Sequence, residues 1–179
     1  MKLVIDLEIW VSQDSGKWLL ASLLLAAWLA LVLFKARQSA KHSGDTAAAL
    51  VVHASQTGHA ADLAEQARAR IAASGVECVA IEANRLTAQH LAAAKELFFI
   101  VSTTGDGDPP DNARHFEQRL MAQGLDLSGK SALVLGLGDR RYPDFCGFGH
   151  RVADWAAACG AQLRAPLVEV DDLSPGDLA

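Results

Sequence analysis

The feature that most constrains the fold is a pattern that occurs three times: a short apolar run ends in a small, polar loop containing glycine. Apolar runs of this length, bounded by turn residues, are typical of buried parallel strands. In an open α/β sheet, ligands bind beyond the carboxyl ends of the strands. The pattern therefore predicts three strands whose loops form one binding site. The runs are residues 49–54, 97–101 and 132–135, and the loops are residues 55–60, 102–108 and 137–142.

Helical patterns lie between these runs, so β and α elements alternate along the chain. We predict helices over residues 59–74, 112–122 and 149–159, and further strands over residues 77–82 and 166–170. This alternation predicts the α/β class, a parallel sheet with helices on both faces. Ser-Pro-Gly-Asp at residues 174–177 is typical of a helix start, so we expect that the last helix of the domain is truncated or that a partner covers this face of the sheet. A frayed polar tail is the alternative.

An uncharged apolar stretch, residues 18–34, precedes this region and is bounded by Lys17 and Lys35. As a helix it would be about 26 Å long, at the short end of what spans a bilayer. We predict a single-pass transmembrane helix here, with residues 1–17 as a non-cytoplasmic segment. Residues 35–46 are polar and basic and are expected to form a flexible linker that touches anionic lipid. The excess of Lys and Arg after the helix predicts a cytoplasmic location for the domain that follows.

A cleaved signal peptide and a buried core helix are the alternatives for this stretch. A signal peptide has a basic leader, whereas Asp6, Glu8 and Asp14 precede the apolar run here. A core helix of a soluble domain has a polar face, and the run has none. Both alternatives therefore fit the sequence less well than an anchor.

Charge and cysteine content limit the function of the domain over residues 47–179. The formal net charge of the chain is −5, and acidic side chains outnumber basic ones in this domain. An acidic domain repels phosphate backbones, so we expect no nucleic-acid partner. Cys78, Cys146 and Cys159 lack the spacing of a zinc site or a disulfide framework and are expected to be reduced, packed thiols.

The first loop has the chemistry of a phosphate site, because hydroxyls and backbone N–H groups precede a predicted helix. It has no Lys and no following Gly-Lys-Ser or Gly-Lys-Thr, which excludes a P-loop. No GxGxxG occurs, and the acids of a receiver domain are absent after the first and third strands. Tyr142 is suited to stacking on a flat heterocycle, and the small second loop allows close approach to a ring edge. A ligand with a phosphate and a large planar group fits these features.

These loops resemble those of the FMN-binding flavodoxin domain of the diflavin reductases, the family of NADPH–hemoprotein reductase and the sulfite reductase flavoprotein subunit. The resemblance covers residues 48–172 and rests on Ser-Gln-Thr-Gly at 55–58 and on residues 102–113 and 135–146. It implies a flavodoxin-like, doubly wound, five-stranded parallel sheet of order 2-1-3-4-5, with FMN as cofactor. Thr104 stands where members similar to the microsomal enzyme have an aromatic residue, which sulfite-reductase-like members lack.

The resemblance also implies which residues bind the cofactor. The first loop would hold the ribityl phosphate, the second and third would wrap the isoalloxazine, and Tyr142 would stack on it. Asp171 falls where some members have one further FMN contact. The cofactor-binding residues implied are Ser55, Gln56, Thr57, Gly58, His59, Ala60, Ser102, Thr103, Thr104, Gly105, Leu137, Gly138, Asp139, Arg140, Arg141, Tyr142, Pro143, Asp144, Phe145 and Cys146. No catalytic side chain and no metal ligand is expected.

The expected function is a membrane-tethered domain that passes single electrons from an FAD/NADPH module to a redox acceptor protein of the heme or sulfite-reductase type. The module would be a lost C-terminal domain or a separate protein; in the first case the parent is an NADPH-dependent diflavin oxidoreductase. A flavodoxin-fold scaffold and a stand-alone membrane flavodoxin are the alternatives. Acidic residues on the second and third loops fit either a docking surface for a basic partner or ordinary turn chemistry.

Overall fold

The computed structural model describes residues 48–171, which lie within one compact unit. The predicted anchor at residues 18–34, the linker at 35–46 and the helix start at 174–177 lie outside the described residues. Among residues 48–171, no helix has the length and apolar character needed to cross a membrane.

A parallel sheet forms the centre of the domain. Its strand order is β2-β1-β3-β4-β5, and β6 also pairs with β4. The α/β class and the 2-1-3-4-5 order predicted above are therefore confirmed. The strands are β1 (Ala49–Ala54), β2 (Cys78–Glu82), β3 (Glu96–Ser102), β4 (Ser131–Gly138), β5 (Gln162–Leu163) and β6 (Val168–Asp171).

Helices cover both faces of this sheet because its strands are apolar on both sides. The α-helices are α1 (His59–Ala73), α2 (Ala88–Ala93) and α3 (Gly147–Ala158), and a π-helix (Phe116–Met121) lies between β3 and β4. On one face, Val51 packs with Ala60 and Ala64 of α1. On the other face, Val52 belongs to the same cluster as Val152 of α3 and residues of the π-helix. The alternation along β1 thus directs neighbouring side chains into two separate cores.

Three aromatic rings form the centre of the larger core. The rings of Phe99 and Phe116 have centroids 6.2 Å apart, and Trp155 meets Phe116 edge to face at 5.3 Å. Edge-to-face packing of this kind stabilises a core beyond the burial of area alone. These contacts join β3, the π-helix and α3.

The structure differs from the predicted elements at three places. The strand predicted over 166–170 is β6 (Val168–Asp171), and an unpredicted two-residue strand, β5, lies before Pro166, which cannot donate to a strand ladder. The helix predicted over 112–122 is a 3-10 turn (Asp111–Ala113) followed by the π-helix. Helix α2, which was not predicted, begins at Ala88 and is capped by Thr87, whose hydroxyl accepts a hydrogen bond from the His90 N–H.

The register of the sheet brings the three loops to one edge. Ala54 at the end of β1 is level with Val101 of β3, and Ser102 is level with Leu137 of β4. Parallel strands end at a common edge, so the loops that follow β1, β3 and β4 lie side by side. The predicted convergence of the three loops is thus a property of the sheet.

Candidate functional site: a cleft at three strand ends

A cleft of about 320 Å³ lies between the three loops at the carboxyl edge of the sheet. Small-molecule sites in proteins have volumes of about 300–1,000 Å³, so the cleft is large enough for a cofactor. All of its lining residues belong to the predicted set. They are Gln56, Thr57, His59, Ser102, Thr103, Thr104, Gly105, Leu137, Gly138 and Asp139.

The first loop is shaped by a buried hydroxyl and a left-handed glycine. Ser55 is buried, and its Oγ accepts a hydrogen bond from the Ala60 N–H at 3.2 Å. Gly58 has φ 87° and begins α1, and a Cβ there would meet no atom within 4 Å. The glycine is therefore needed for its backbone conformation and not for space. This turn places the amino end of α1 at the cleft, where N–H groups and the helix dipole favour an anion.

His59 is the basic side chain of this loop. Its Nδ1 lies 3.3 Å from the Oγ1 of Thr57, and both side chains are exposed and line the cleft. A hydroxyl and an imidazole beside a helix amino terminus form a polar end of the cleft with donors for a phosphate.

The second loop is closed on itself by backbone hydrogen bonds. Thr104 and Asp108 exchange two N–H···O bonds of 2.8 and 2.9 Å, and the Thr104 hydroxyl donates to the Asp108 carbonyl at 3.1 Å. Gly105 and Gly107 both have positive φ, as such a tight loop requires. Because the hydroxyl of Thr104 is used within the loop, this residue and Gly105 present mainly backbone to the cleft.

The third loop carries the aromatic side chain predicted to stack. Tyr142 is 47% exposed, and its N–H donates to the Asp139 carbonyl at 3.0 Å. The Arg141 guanidinium donates to the Asp139 carboxylate at 2.8 Å, and this hydrogen bonding lowers the pKa of Asp139. Asp139 is thus ionised at neutral pH and is held at the cleft by its partner.

Asp171 at the end of β6 supports the third loop. Its carboxylate accepts a hydrogen bond from the Arg140 N–H at 2.9 Å, and the Arg140 guanidinium lies 4.6 Å above the ring of Phe145. Asp171, for which the resemblance implies a cofactor contact, therefore contacts the loop itself and does not line the cleft.

Cys146 closes the third loop beneath β4. It is fully buried with φ 55°, and its Sγ lies 3.4 Å from the Gly136 carbonyl oxygen. A Cβ on Gly138 would lie 2.8 Å from that Sγ, so the close packing requires glycine at 138. Burial raises the pKa of the Cys146 thiol to about 11, which keeps it protonated at neutral pH. The three cysteines are free thiols, as predicted, and residues 48–171 contain no cluster of metal-ligating side chains.

The remaining predicted residues lie around the cleft and not in its lining. Three belong to the first loop, where they form or support the turn, and seven belong to the third loop beyond Asp139. They are Ser55, Gly58, Ala60, Arg140, Arg141, Tyr142, Pro143, Asp144, Phe145 and Cys146. In the third loop only the first residues reach the cleft wall in this structure.

Two residues of α3 that contact the second loop were not predicted, Phe148 through its backbone N–H and Arg151 through its side chain. Arg151 of α3 donates from Nη1 to the carbonyl oxygen of Gly107 at 2.9 Å. Arg151 and Gly107 are 44 positions apart, so no local sequence signal identifies the contact. The only sequence signal for Arg151 is a basic residue one turn into the helix that follows the third loop.

Comparison with known proteins agrees with this geometry. The flavodoxin family model matches residues 51–179. The chain is 33% identical over 124 residues to the sulfite reductase [NADPH] flavoprotein alpha-component of Aliivibrio fischeri, covering 69% of this chain and 20% of that protein. It is 36% identical over 133 residues to NADPH-dependent diflavin oxidoreductase 1 of Emericella nidulans, covering 72% and 19%. The chain thus spans about a fifth of the length of these curated relatives.

Comparison with solved structures supports the same family. The crystal structure of oxidised flavodoxin 2 from Bacillus cereus superposes with a TM-score of 0.65 at 28% identity, covering 74% of this chain and 90% of that one. A flavodoxin of Streptococcus pneumoniae TIGR4 gives a TM-score of 0.65 at 27% identity, covering 73% and 89%. Flavodoxins bind FMN, and FMN is the cofactor of this domain. The chain belongs to the flavodoxin family, as an FMN-binding electron-transfer domain related to the flavoprotein subunits of diflavin reductases.

Proposed function

We propose that the cleft holds FMN with its phosphate at the first loop and its ring between the second and third loops, and that this domain relays electrons between a reductase module and an acceptor protein. The observation that carries the proposal is the cleft itself, which joins a helix amino terminus at one end to two glycine-bearing loops at the other. The bound flavin supplies the electron-transfer chemistry.

The phosphate end is assigned to Thr57, Gly58 and His59. The left-handed Gly58 forms the turn that leads into α1, and the positive end of the helix dipole favours an anion there. Thr57 and His59 add a hydroxyl and an imidazole at the same place. These groups bind an anion through hydrogen bonds and do not need the Lys of a P-loop.

The ring end is assigned to Ser102, Thr103, Thr104 and Gly105 on one side and to residues 137–142 on the other. Backbone groups of the second loop are able to approach a ring edge closely because glycine has no side chain. Tyr142 is exposed beside the cleft and is free of burial in the core, which suits a ring that packs on a cofactor.

The names of the relatives support the choice of partners. NADPH appears in the names of the sulfite reductase and diflavin oxidoreductase relatives, and this chain matches only about a fifth of their length. We therefore assign the supply of electrons to an FAD/NADPH module outside this domain, and their use to a redox acceptor protein of the heme or sulfite-reductase type. The uncharged run at residues 18–34 supports a single-pass membrane anchor with the flavin domain on the cytoplasmic side.

The test is a flavin titration of the full chain purified in detergent. We expect a yellow protein that binds added FMN stoichiometrically, quenches its fluorescence, and is reduced by dithionite with a flavin spectrum. Riboflavin, which lacks the phosphate, should bind more weakly than FMN. A folded, colourless protein that ignores both compounds would show that the domain is a scaffold and not an electron carrier.

A further inference from the structure

The part of the second loop that faces the cleft is a short segment held between two fixed points. We call Thr104, Gly105 and Asp106 the lip; its first two residues line the cleft. Thr103 precedes the lip and Gly107 follows it. The position of the lip therefore depends on how these two flanking residues are held.

Both flanking residues are bound by α3. The Thr103 hydroxyl accepts a hydrogen bond from the Phe148 N–H at 3.2 Å, in the first turn of that helix. One turn further along, Arg151 donates from Nη1 to the Gly107 carbonyl at 2.9 Å. Two residues of α3 thus bind the residues that precede and follow the lip.

Arg151 is itself held in place from two sides. Its Nε donates to the Glu117 carboxylate of the π-helix at 2.9 Å, and its guanidinium lies 5.6 Å from the centre of the Phe148 ring. The planar guanidinium is suited to two acceptors at a fixed angle, which an ammonium group is not. The donor that reaches Gly107 is therefore well oriented.

Gly107 has little freedom at its other side. It has φ 93°, and a Cβ on it would lie 2.0 Å from the Oδ2 of Asp144 in the third loop. The α-carbon of Gly107 therefore packs against the third loop while its carbonyl binds Arg151. Release of the carbonyl would let the lip move relative to the opposite wall of the cleft.

We propose that Arg151 is a positioning residue for the flavin ring, although its side chain is outside the cleft lining. It fixes the distance between the second and third loops by holding the far end of the lip. The inference rests on the proposed function, in which FMN occupies the cleft with its ring against the lip. It concerns the ring end alone, because the hydrogen bonds of Arg151 go to Glu117 and to Gly107 of the second loop and not to the first loop.

The test compares R151M with R164M in the full chain. Arg164 also pairs with a glutamate, Glu96, but this pair lies at the amino end of β3, whereas the cleft lies at the carboxyl ends of the strands. We expect R151M to weaken binding of FMN and of riboflavin by a similar factor of about ten, the loss expected for one hydrogen bond from a charged donor. R164M should bind both as the wild type does. FMN and riboflavin share the ring but only FMN has the phosphate, so a similar loss of affinity for both would place the effect at the ring.

The midpoint potential of the bound flavin is the second readout, because a loss of folding stability alone does not change the potential of the folded fraction. We expect R151M to move the potential, and R164M to leave it unchanged. If R151M does not fold, R151K replaces it in the comparison with R164M, because Lys keeps the charge but lacks the planar guanidinium.

Two results would overturn the inference. In the first, the wild type binds FMN but the folded Arg151 variant matches R164M in both affinities and in potential, which rejects the role of Arg151 alone. In the second, the wild type binds neither flavin, which rejects the proposed function and this inference with it.

Discussion

The hydroxyl of Ser55 accepts a hydrogen bond from the backbone N–H of Ala60 at 3.2 Å, across the turn that leads into α1. Ser55 is buried, so this hydrogen bond stabilises the turn inside the protein. Replacement by Ala leaves the N–H without this acceptor, and loss of such a bond at a helix start costs about 1 kcal/mol. We expect S55A to lower both the free energy of unfolding and the FMN affinity, measured by urea denaturation and flavin titration. A variant with unchanged affinity would mean that the turn holds its shape without this bond.

Gly58 provides a separate test of the first loop's backbone. A Cβ would fit at this position, but φ 87° makes any other L-residue unfavourable by roughly 1–2 kcal/mol. G58A should therefore weaken FMN binding and lower stability. Gly75 has φ 86° in equally open space at the far end of α1, so G75A should lower stability to a similar extent and leave FMN affinity intact. Equal affinities for the two variants would argue against a phosphate site at Gly58.

Tyr142 is the side chain through which ring stacking can be tested. Because it is 47% exposed, Y142A should leave the free energy of unfolding of the apoprotein nearly unchanged. Loss of an aromatic stacking partner should weaken FMN by about ten-fold. Val168 is 41% exposed on β6, and V168A is the matched control that should bind FMN normally. Tight binding by Y142A would remove the tyrosine from the proposed site.

Cys146 gives a prediction about pH. Burial raises the pKa of its thiol from 9.0 to about 11, so the folded state holds the proton more tightly than the unfolded state. The resulting stabilisation is complete below pH 9 and is lost as the pH rises through 11. Between these values the wild type should lose about 2 kcal/mol of stability more than C146A, measured by denaturation of the apoprotein. If the free energies of unfolding of the two proteins fell in parallel with pH, the raised pKa of Cys146 would be contradicted.

Much of the fold can be predicted because the strands next to the cleft are buried on both faces. The apolar run at 49–54 coincides with β1, and the second and third runs lie within β3 and β4. Helix α2 escapes prediction because six residues are too few to show a period, and it depends on the mutual hydrogen bonds of Thr87 and His90. In the π-helix, the ring of Phe116 packs on the rings of Phe99 and Trp155, and no local pattern reveals these contacts between distant parts of the chain.

The site can be predicted to the level of its loops but not of its individual atoms. All ten lining residues are among those that the family resemblance implies, and their loops were expected to meet because parallel strands end at a common edge. The sequence does not reveal that the hydroxyls of Ser55 and Thr104 are used inside their own loops, since this depends on how each loop closes. The contact of Arg151 with Gly107 joins distant parts of the chain and could be found only in three dimensions.

The sheet edge beside β4 is divided between β5 and β6, and this division affects how the domain meets other molecules of its own kind. An exposed sheet edge is a template on which another chain can add a strand. Here that edge consists of two residues in β5 and four in β6, separated by a segment that contains a proline. Neither piece is long enough to support a continuous ladder with a neighbour. On this side of the sheet, the broken edge of the described residues is thus a poor template for edge-to-edge pairing.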